Sequence, residues 1–307
     1  MRYSPCTMTS RLATCIILAA TQTADFAHGE GVAPDGGYLL AVVTDRFSNR
    51  GELTFLDING NRAGEFAKSM RGGHPAWSPD GEWIAVEHSD ENGSNIVVFS
   101  ADGSQQRSVI GDDHENYWPT WSPDGNRIAF LSVRDGHTHI AVANVDGSNV
   151  QVLTDHTGLN ADPAWRPGSE EVVFISDRSG LMRLHALNVA ENTVRPFLET
   201  PLSGWALPSF SPDGAMVAFG NQNQIFVSDA AGKTVRQIST GAGQFRMATW
   251  SPDGRYITYC RVQEEPGGNA DLVLFDVLHE TQTTLLPAAL PPNGERVAWR
   301  PLAWPSP

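Results

Sequence analysis

The side chains best placed to do chemistry are polar and aromatic residues that recur at a nearly fixed interval. They are His74, Asn116-Tyr117-Trp118, Asn160 with Asp162, Trp205, Phe245-Arg246 and Glu295-Arg296. Each set stands a few residues ahead of a Trp-Ser-Pro or related tripeptide. The mixture of rings, carboxylates and guanidinium groups suits a peptide, a sugar or a protein segment. Rings supply contact area, and Arg and Asp fix orientation. The competing reading is that the rings cap a hydrophobic core and the charges are merely solvated. Composition leaves both readings open.

The motifs of established catalytic chemistry are missing. The chain has no Gly-x-Ser-x-Gly elbow and no His-Glu-x-x-His pair, so neither an α/β-hydrolase nor a zincin is indicated. His137-Thr138-His139 places two imidazoles on one side of a strand, but no further ligand can be named, and no metal or other cofactor is expected. Asp112-Asp113-His114-Glu115 reads as a solvated polar loop, with a cation or substrate site as the alternative. Asp57-Ile58-Asn59-Gly60-Asn61 is too short for an EF-hand and fits a hairpin. Arg134-Asp135 and Asp177-Arg178 follow the repeat, which marks a structural role, since a catalytic group is needed only once. Were the protein a lyase or hydrolase acting on a sugar or peptide, Asp162, His74, His137 and Glu295 would be the first residues expected to carry the reaction.

The elements that must position these residues are set by Trp77-Ser78-Pro79-Asp80-Gly81. It returns at Trp121–Gly125 and Trp250–Gly254, with variants at Val32, Trp165, Phe210 and Trp299. Counted from those first residues, the copies lie 45, 44, 44, 45, 40 and 49 residues apart. A fixed period of about 20–50 residues marks a solenoid or propeller. Ser-Pro-Asp-Gly is a turn. Proline presets φ, aspartate bonds its own backbone, and glycine takes the positive φ that a Cβ resists. Asp102-Gly103 and Asp146-Gly147 mark a second corner in each copy, for which tight type I′ hairpins are expected. The aromatic before each turn is expected to pack between adjacent sheets.

Each period holds four short β-rich runs, as in Pro119–Ser122, Arg127–Val133, His139–Val145 and Val150–Thr154. The expected fold is all-β: a six-bladed β-propeller of four-stranded antiparallel blades. The extra copy at Arg296–Arg300 is expected to complete the first blade, so that a C-terminal strand closes the ring and removes exposed edges. Topology then assigns the loops to faces. Those leading into first strands, with their candidate residues, share one face with those joining second to third strands. The Ser-Pro-Asp-Gly turns lie on the other.

This pattern resembles the TolB-type, WD-like propeller repeat over about residues 30–300. It is an aromatic, Ser-Pro-Asp-Gly, Ile-Ala-Phe, Ser-x-Arg-x-Gly, Ile-x-Val and Asp-Gly-Ser, and is nearly complete in Trp121–Ser148. The resemblance implies a six-bladed propeller of a kind commonly exported to the bacterial periplasm. The same repeats occur in the propellers of prolyl oligopeptidase-type peptidases. TolB itself carries an additional N-terminal α/β domain, for which the repeats here leave no room, and that departure weakens the case for a role in the Tol–Pal system.

Address and charge complete the reading. Leu12–Ala20 is an apolar run after Arg2 and Arg11; it is too short to span a bilayer and fits a signal peptide over residues 1–27. Residues 28–307 then form a single propeller domain. The net charge of −14 argues against nucleic acid as a partner, and the only lysines are Lys68 and Lys233. Cys260 is the single cysteine after the leader, so no disulfide framework exists. The expectation is a monomeric periplasmic or secreted scaffold that receives a protein or peptide of the cell envelope.

Overall fold

The computed structural model describes residues 38–43, 52–57, 73–90, 93–155, 157–204, 206–262, 270–290 and 297–299, all strands, turns or loops. The proposed signal segment lies outside the described residues.

Five four-stranded antiparallel sheets follow one another along the chain. The first holds β3 (Gly73–Trp77), β4 (Trp83–Asp90), β5 (Gly93–Ser100) and β6 (Gln106–Ile110). The second holds β7 (Glu115–Trp121), β8 (Arg127–Arg134), β9 (His137–Asn144) and β10 (Gln151–Val152). The third holds β11 (Asn160–Trp165), β12 (Glu171–Ser176), β13 (Arg183–Asn188) and β14 (Thr193–Pro196). The fourth holds β15 (Ser209–Phe210), β16 (Met216–Asn221), β17 (Gln224–Asp229) and β18 (Val235–Gln237). The fifth holds β19 (Gln244–Trp250), β20 (Tyr256–Val262), β21 (Ala270–Asp276) and β22 (Thr281–Leu290).

The expectation of six four-stranded blades is corrected: the described residues form five. The remaining sheet has three strands, β1 (Tyr38–Val43), β2 (Glu52–Asp57) and β23 (Val297–Trp299). Its strand β23 pairs antiparallel with β1, Leu39 opposite Trp299. The first copy has Val32 where the others carry an aromatic, and among the described residues no fourth strand follows β2. Counting turn motifs therefore overstates the number of complete blades.

Each complete blade buries its second strand on both faces, which is why those strands read as nearly continuous apolar runs. Phe130, Phe174, Phe219 and Tyr259 occupy equivalent positions and have no solvent exposure. Burying such a ring contributes roughly 1.5–3 kcal/mol. The repeat aromatics Trp77, Trp121, Trp165, Phe210 and Trp250 are buried as well. They join blades: the Trp121 indole N–H donates to the Ala76 carbonyl of the preceding blade at 3.0 Å. Arg127 lies 5.1 Å from the centre of the Trp165 ring in the following blade.

The two kinds of corner turn out to share one geometry. In Ser78–Gly81 the Gly81 N–H donates to the Ser78 carbonyl at 2.9 Å, and Gly81 has φ 70°. In Ser100–Gly103 the corresponding bond is 2.8 Å and Gly103 has φ 71°. Only the glycine is left-handed, so the second corner is not the expected type I′ turn, which needs two positive φ values. A hydroxyl–carboxylate network selects the geometry. Ser78 Oγ donates to Asp80 Oδ1 at 2.5 Å and accepts the Trp83 N–H at 2.9 Å. Ser100 and Asp102 repeat it at 2.6 Å, with the Gln105 N–H donating to Ser100 at 2.9 Å.

At Asp102 these bonds favour the ionised carboxylate. The Ser100 hydroxyl, then the Ser104 N–H and hydroxyl, hold Asp102 down to about 2 from its ordinary 3.8. Asp213 is lowered in the same way by the Ser211 hydroxyl and the Ala215 N–H. A group whose folded pKa is depressed stabilises the fold above its unfolded pKa, and that stabilisation is lost as pH falls through the folded value. For Asp102 the window therefore runs from about 3.8 down to about 2. Asp102→Asn is expected to flatten the loss of stability across that window, measured as urea midpoints at successive pH values. An unchanged acid limb would contradict this role of the network.

Candidate functional site

The site begins with a deficit in the backbone. Pro75, Pro119, Pro163 and Pro208 each stand two residues before the repeat aromatic. Proline has no N–H to give a ladder, so it is confined to edge strands and bulges. The first strand of every complete blade is an edge strand. Its pairing breaks at this point: the register shifts between Gly73 and Ala76, Tyr117 and Thr120, Ala161 and Ala164, and Arg246 and Thr249.

The residue before each proline is also pushed out of the ordinary helical region, and here it adopts a positive φ. The values are 48° at His74, 53° at Trp118, 52° at Asp162 and 44° at Leu207. Met247, which precedes Ala248, has φ 62° at the equivalent position. The left-handed bulge therefore belongs to the repeat and not to proline alone. Five non-glycine residues hold this conformation at one structural position, each at a cost of roughly 1–3 kcal/mol. A bulge re-aims its side chain. β3, β7, β11, β15 and β19 neighbour one another in turn, so the five positions lie on adjacent strands. The His74 and Trp118 ring centres are 5.1 Å apart, and the Leu207 N–H donates to Asp162 Oδ2 at 3.1 Å.

This geometry sorts the candidates named from sequence. His74, Trp118 and Asp162 occupy the bulges; the first two are half-buried and Asp162 is buried. Tyr117 and Arg246 precede their bulges and are half-buried, with Arg246 donating to Gln244. Asn116, Asn160 and Phe245 are buried and tie blades together. The Asn116 amide group donates to Asp112 Oδ1 at 2.8 Å and to Asn95 Oδ1 of the preceding blade at 3.3 Å. Asn160 Nδ2 donates to the Thr138 carbonyl at 2.7 Å, and its Oδ1 accepts from Ser176 and Arg178. Phe245 packs edge-on against Tyr259 at 5.9 Å. Trp205, Glu295 and Arg296 lie outside the described residues.

Two acids complete one sector: Glu87, which the sequence did not single out, and Glu115, read there as part of a solvated loop. Glu87 on β4 meets His74 Nδ1 at 3.0 Å, and Glu115 on β7 accepts the Tyr117 hydroxyl at 2.6 Å. Burial, then the bond and charge of Glu115, push the Tyr117 hydroxyl above its ordinary pKa, so it remains a donor. His139, Asp112 and Asp177 belong to the scaffold. The His139 ring meets the Thr154 carbonyl at 2.7 Å, where Nδ1 must carry the hydrogen. Asp112 pairs with Arg134 at 3.1 Å, and Asp177 Oδ1 accepts the Leu159 N–H at 2.9 Å. A polar hollow of about 240 Å³ lies between blades, lined by Arg127, Asn144, Asn149 and Gln151. It holds none of the bulge residues, and the contacts between bulge residues locate the site better than this hollow does.

Of the two bulge positions that residue type did not reveal, Leu207 and Met247, the first had a signal in the sequence. Proline at a fixed distance before the repeat aromatic demands a bulge, and the residue ahead of it is the one re-aimed. The bulge can be tested at Met247. Met247→Val places a β-branched residue at positive φ and is expected to destabilise by roughly 1–3 kcal/mol in urea unfolding. Met247→Asn should cost less, since asparagine tolerates the left-handed region. The reverse order would contradict the assignment.

A family model described as TolB beta propeller domain matches residues 38–200. Among solved structures, the chain is similar to TolB from Acinetobacter baumannii, with TM-score 0.70 and 19% identity over 87% of this chain and 67% of that one. A putative TolB from Agrobacterium tumefaciens gives TM-score 0.62 and 16% identity over 87% and 98%. Puromycin hydrolase gives TM-score 0.58 and 19% identity over 82% and 44%. At these identities the likeness is one of fold. No curated protein matches the chain.

Proposed function

The chain belongs to the TolB β-propeller domain family, and from that premise we propose that it is an exported scaffold receiving a protein or peptide segment on the face that carries its bulges. The observation that carries the reading is the ring of re-aimed side chains, in which His74 touches Trp118 across a blade boundary. Strained backbone held at one position in five blades is costly, and a rigid sheet that presents unlike side chains there suits recognition. Half-buried rings beside carboxylates provide area and direction together. The opposite face, with its repeated Ser–Asp networks, uses its polar groups to hold turns.

Two further observations support the reading. Export agrees with the apolar run Leu12–Ala20, which follows two arginines. The net charge of −14 keeps the molecule away from nucleic acid and favours a partner of opposite charge.

The test is a comparative capture from an envelope extract of the source organism. Immobilised protein is compared with a Trp118→Ala, Arg246→Ala variant whose circular dichroism shows the fold retained. The expected result is a partner recovered on the unaltered protein and depleted about tenfold on the variant, the equivalent of one lost contact worth about 1.4 kcal/mol. Equal recovery on both would contradict the reading.

A further inference from the structure

We propose that the sector formed by His74, Glu87, Glu115 and Trp118 recognises a cationic side chain, an arginine or lysine carried by the partner. The inference rests on the channel-face reading above and supplies the chemistry of its ligand.

The first argument is an inventory of donors and acceptors. Glu87 meets only His74 among the described residues, and Glu115 meets only the Tyr117 hydroxyl. Each carboxylate has about four acceptor positions, so most stay unfilled. The sector thus holds a surplus of acceptors. An ammonium brings three donors and a guanidinium five, and neither brings an acceptor.

Charge is the second argument. The described arginines are largely engaged elsewhere: Arg127 with Glu170, Arg134 with Asp112, Arg183 with Glu199 and Arg261 with Asp271. No described arginine or lysine forms an ion pair with Glu87 or Glu115. On a chain of net charge −14, two carboxylates beside a binding face have no described arginine or lysine as partner, and Glu87 meets the His74 ring.

The third argument is the ring beside them. Trp118 is half-buried at its bulge, 5.1 Å from His74. Tryptophan is the best aromatic partner for a cation. Arginine already uses aromatic rings in this molecule: Arg107 lies 4.5 Å from the centre of the Trp83 ring. Among the described residues no three His, Cys, Asp or Glu side chains lie close enough together to hold a metal ion.

The experiment is selection of a random displayed-peptide library on the immobilised protein, with counter-selection on Trp118→Ala. The best peptide is then synthesised and titrated against unaltered protein, Glu115→Gln and Glu87→Gln. Glutamine keeps an acceptor for Tyr117 or His74 and removes the charge, and thermal melting checks that both variants fold. The expected result is a set of peptides rich in Arg or Lys. Their affinity should fall about tenfold in the charge variants and weaken as salt shortens the Debye length. Peptides that need Trp118 but are acidic or uncharged would overturn the cation inference and leave the channel-face reading standing. Basic peptides indifferent to both glutamine substitutions would also overturn it. Failure to recover any Trp118-dependent peptide would overturn both.

Discussion

A proline cannot donate to a β ladder, and the inner strand of each blade has to accommodate that loss. In four of the five complete blades a proline stands two residues before the repeat aromatic, and in the fifth an alanine keeps the same bend. The edge position makes the missing bond tolerable, and the bulge turns one side chain per blade out of the regular alternation. The buried aromatic just beyond it fixes where the bulge sits. Trp121, bonded to the backbone of the preceding blade, is the clearest case. Packing, strain and presentation are thus set within five consecutive residues.

The two faces of the molecule use polar groups in opposite ways. On the turn face, serine hydroxyls and aspartates satisfy each other and the backbone. Such groups have little capacity left for a ligand. On the bulge face the amides of Asn116 and Asn160 are spent on holding blades together, whereas Glu87 and Glu115 each have one described partner. Arginine is distributed to match: Arg178 is turned inward over Phe174 and onto Asn160, and Arg134 braces the loop at Asp112. The unequal use of hydrogen-bonding capacity, more than shape, separates a structural face from one suited to recognition.

Much of the architecture was legible because the period is long-range and redundant. Several copies of one turn establish the phase even where a single copy is degenerate, and the buried aromatics behaved as expected. The number of complete blades was not legible. A motif marks a turn, and whether four strands surround it depends on residues outside the motif, as the sheet of β1, β2 and β23 shows. The type of the second corner was missed for a local reason: the dipeptide Asp102-Gly103 is shared by two turn types, and Ser100 decides between them. In the candidate site, His74, Trp118 and Asp162 were named from sequence because their residue types stand out. Asn116 and Asn160 have the same conspicuous chemistry but point into blade contacts, a distinction of one residue that composition cannot make. Glu87 was missed because it comes from a different strand, and only the register brings it to His74.

The central claim is that recognition occurs on the bulge face and not on the turn face. Hydrogen–deuterium exchange of the protein with its captured partner tests this most directly, since both faces supply backbone amides that can be followed in one experiment. The account predicts partner-dependent protection in segments 73–76, 115–120 and 244–248, with the turns at 78–82, 122–126 and 251–255 unchanged. Protection confined to those turns, with the bulge segments unaffected, would contradict it.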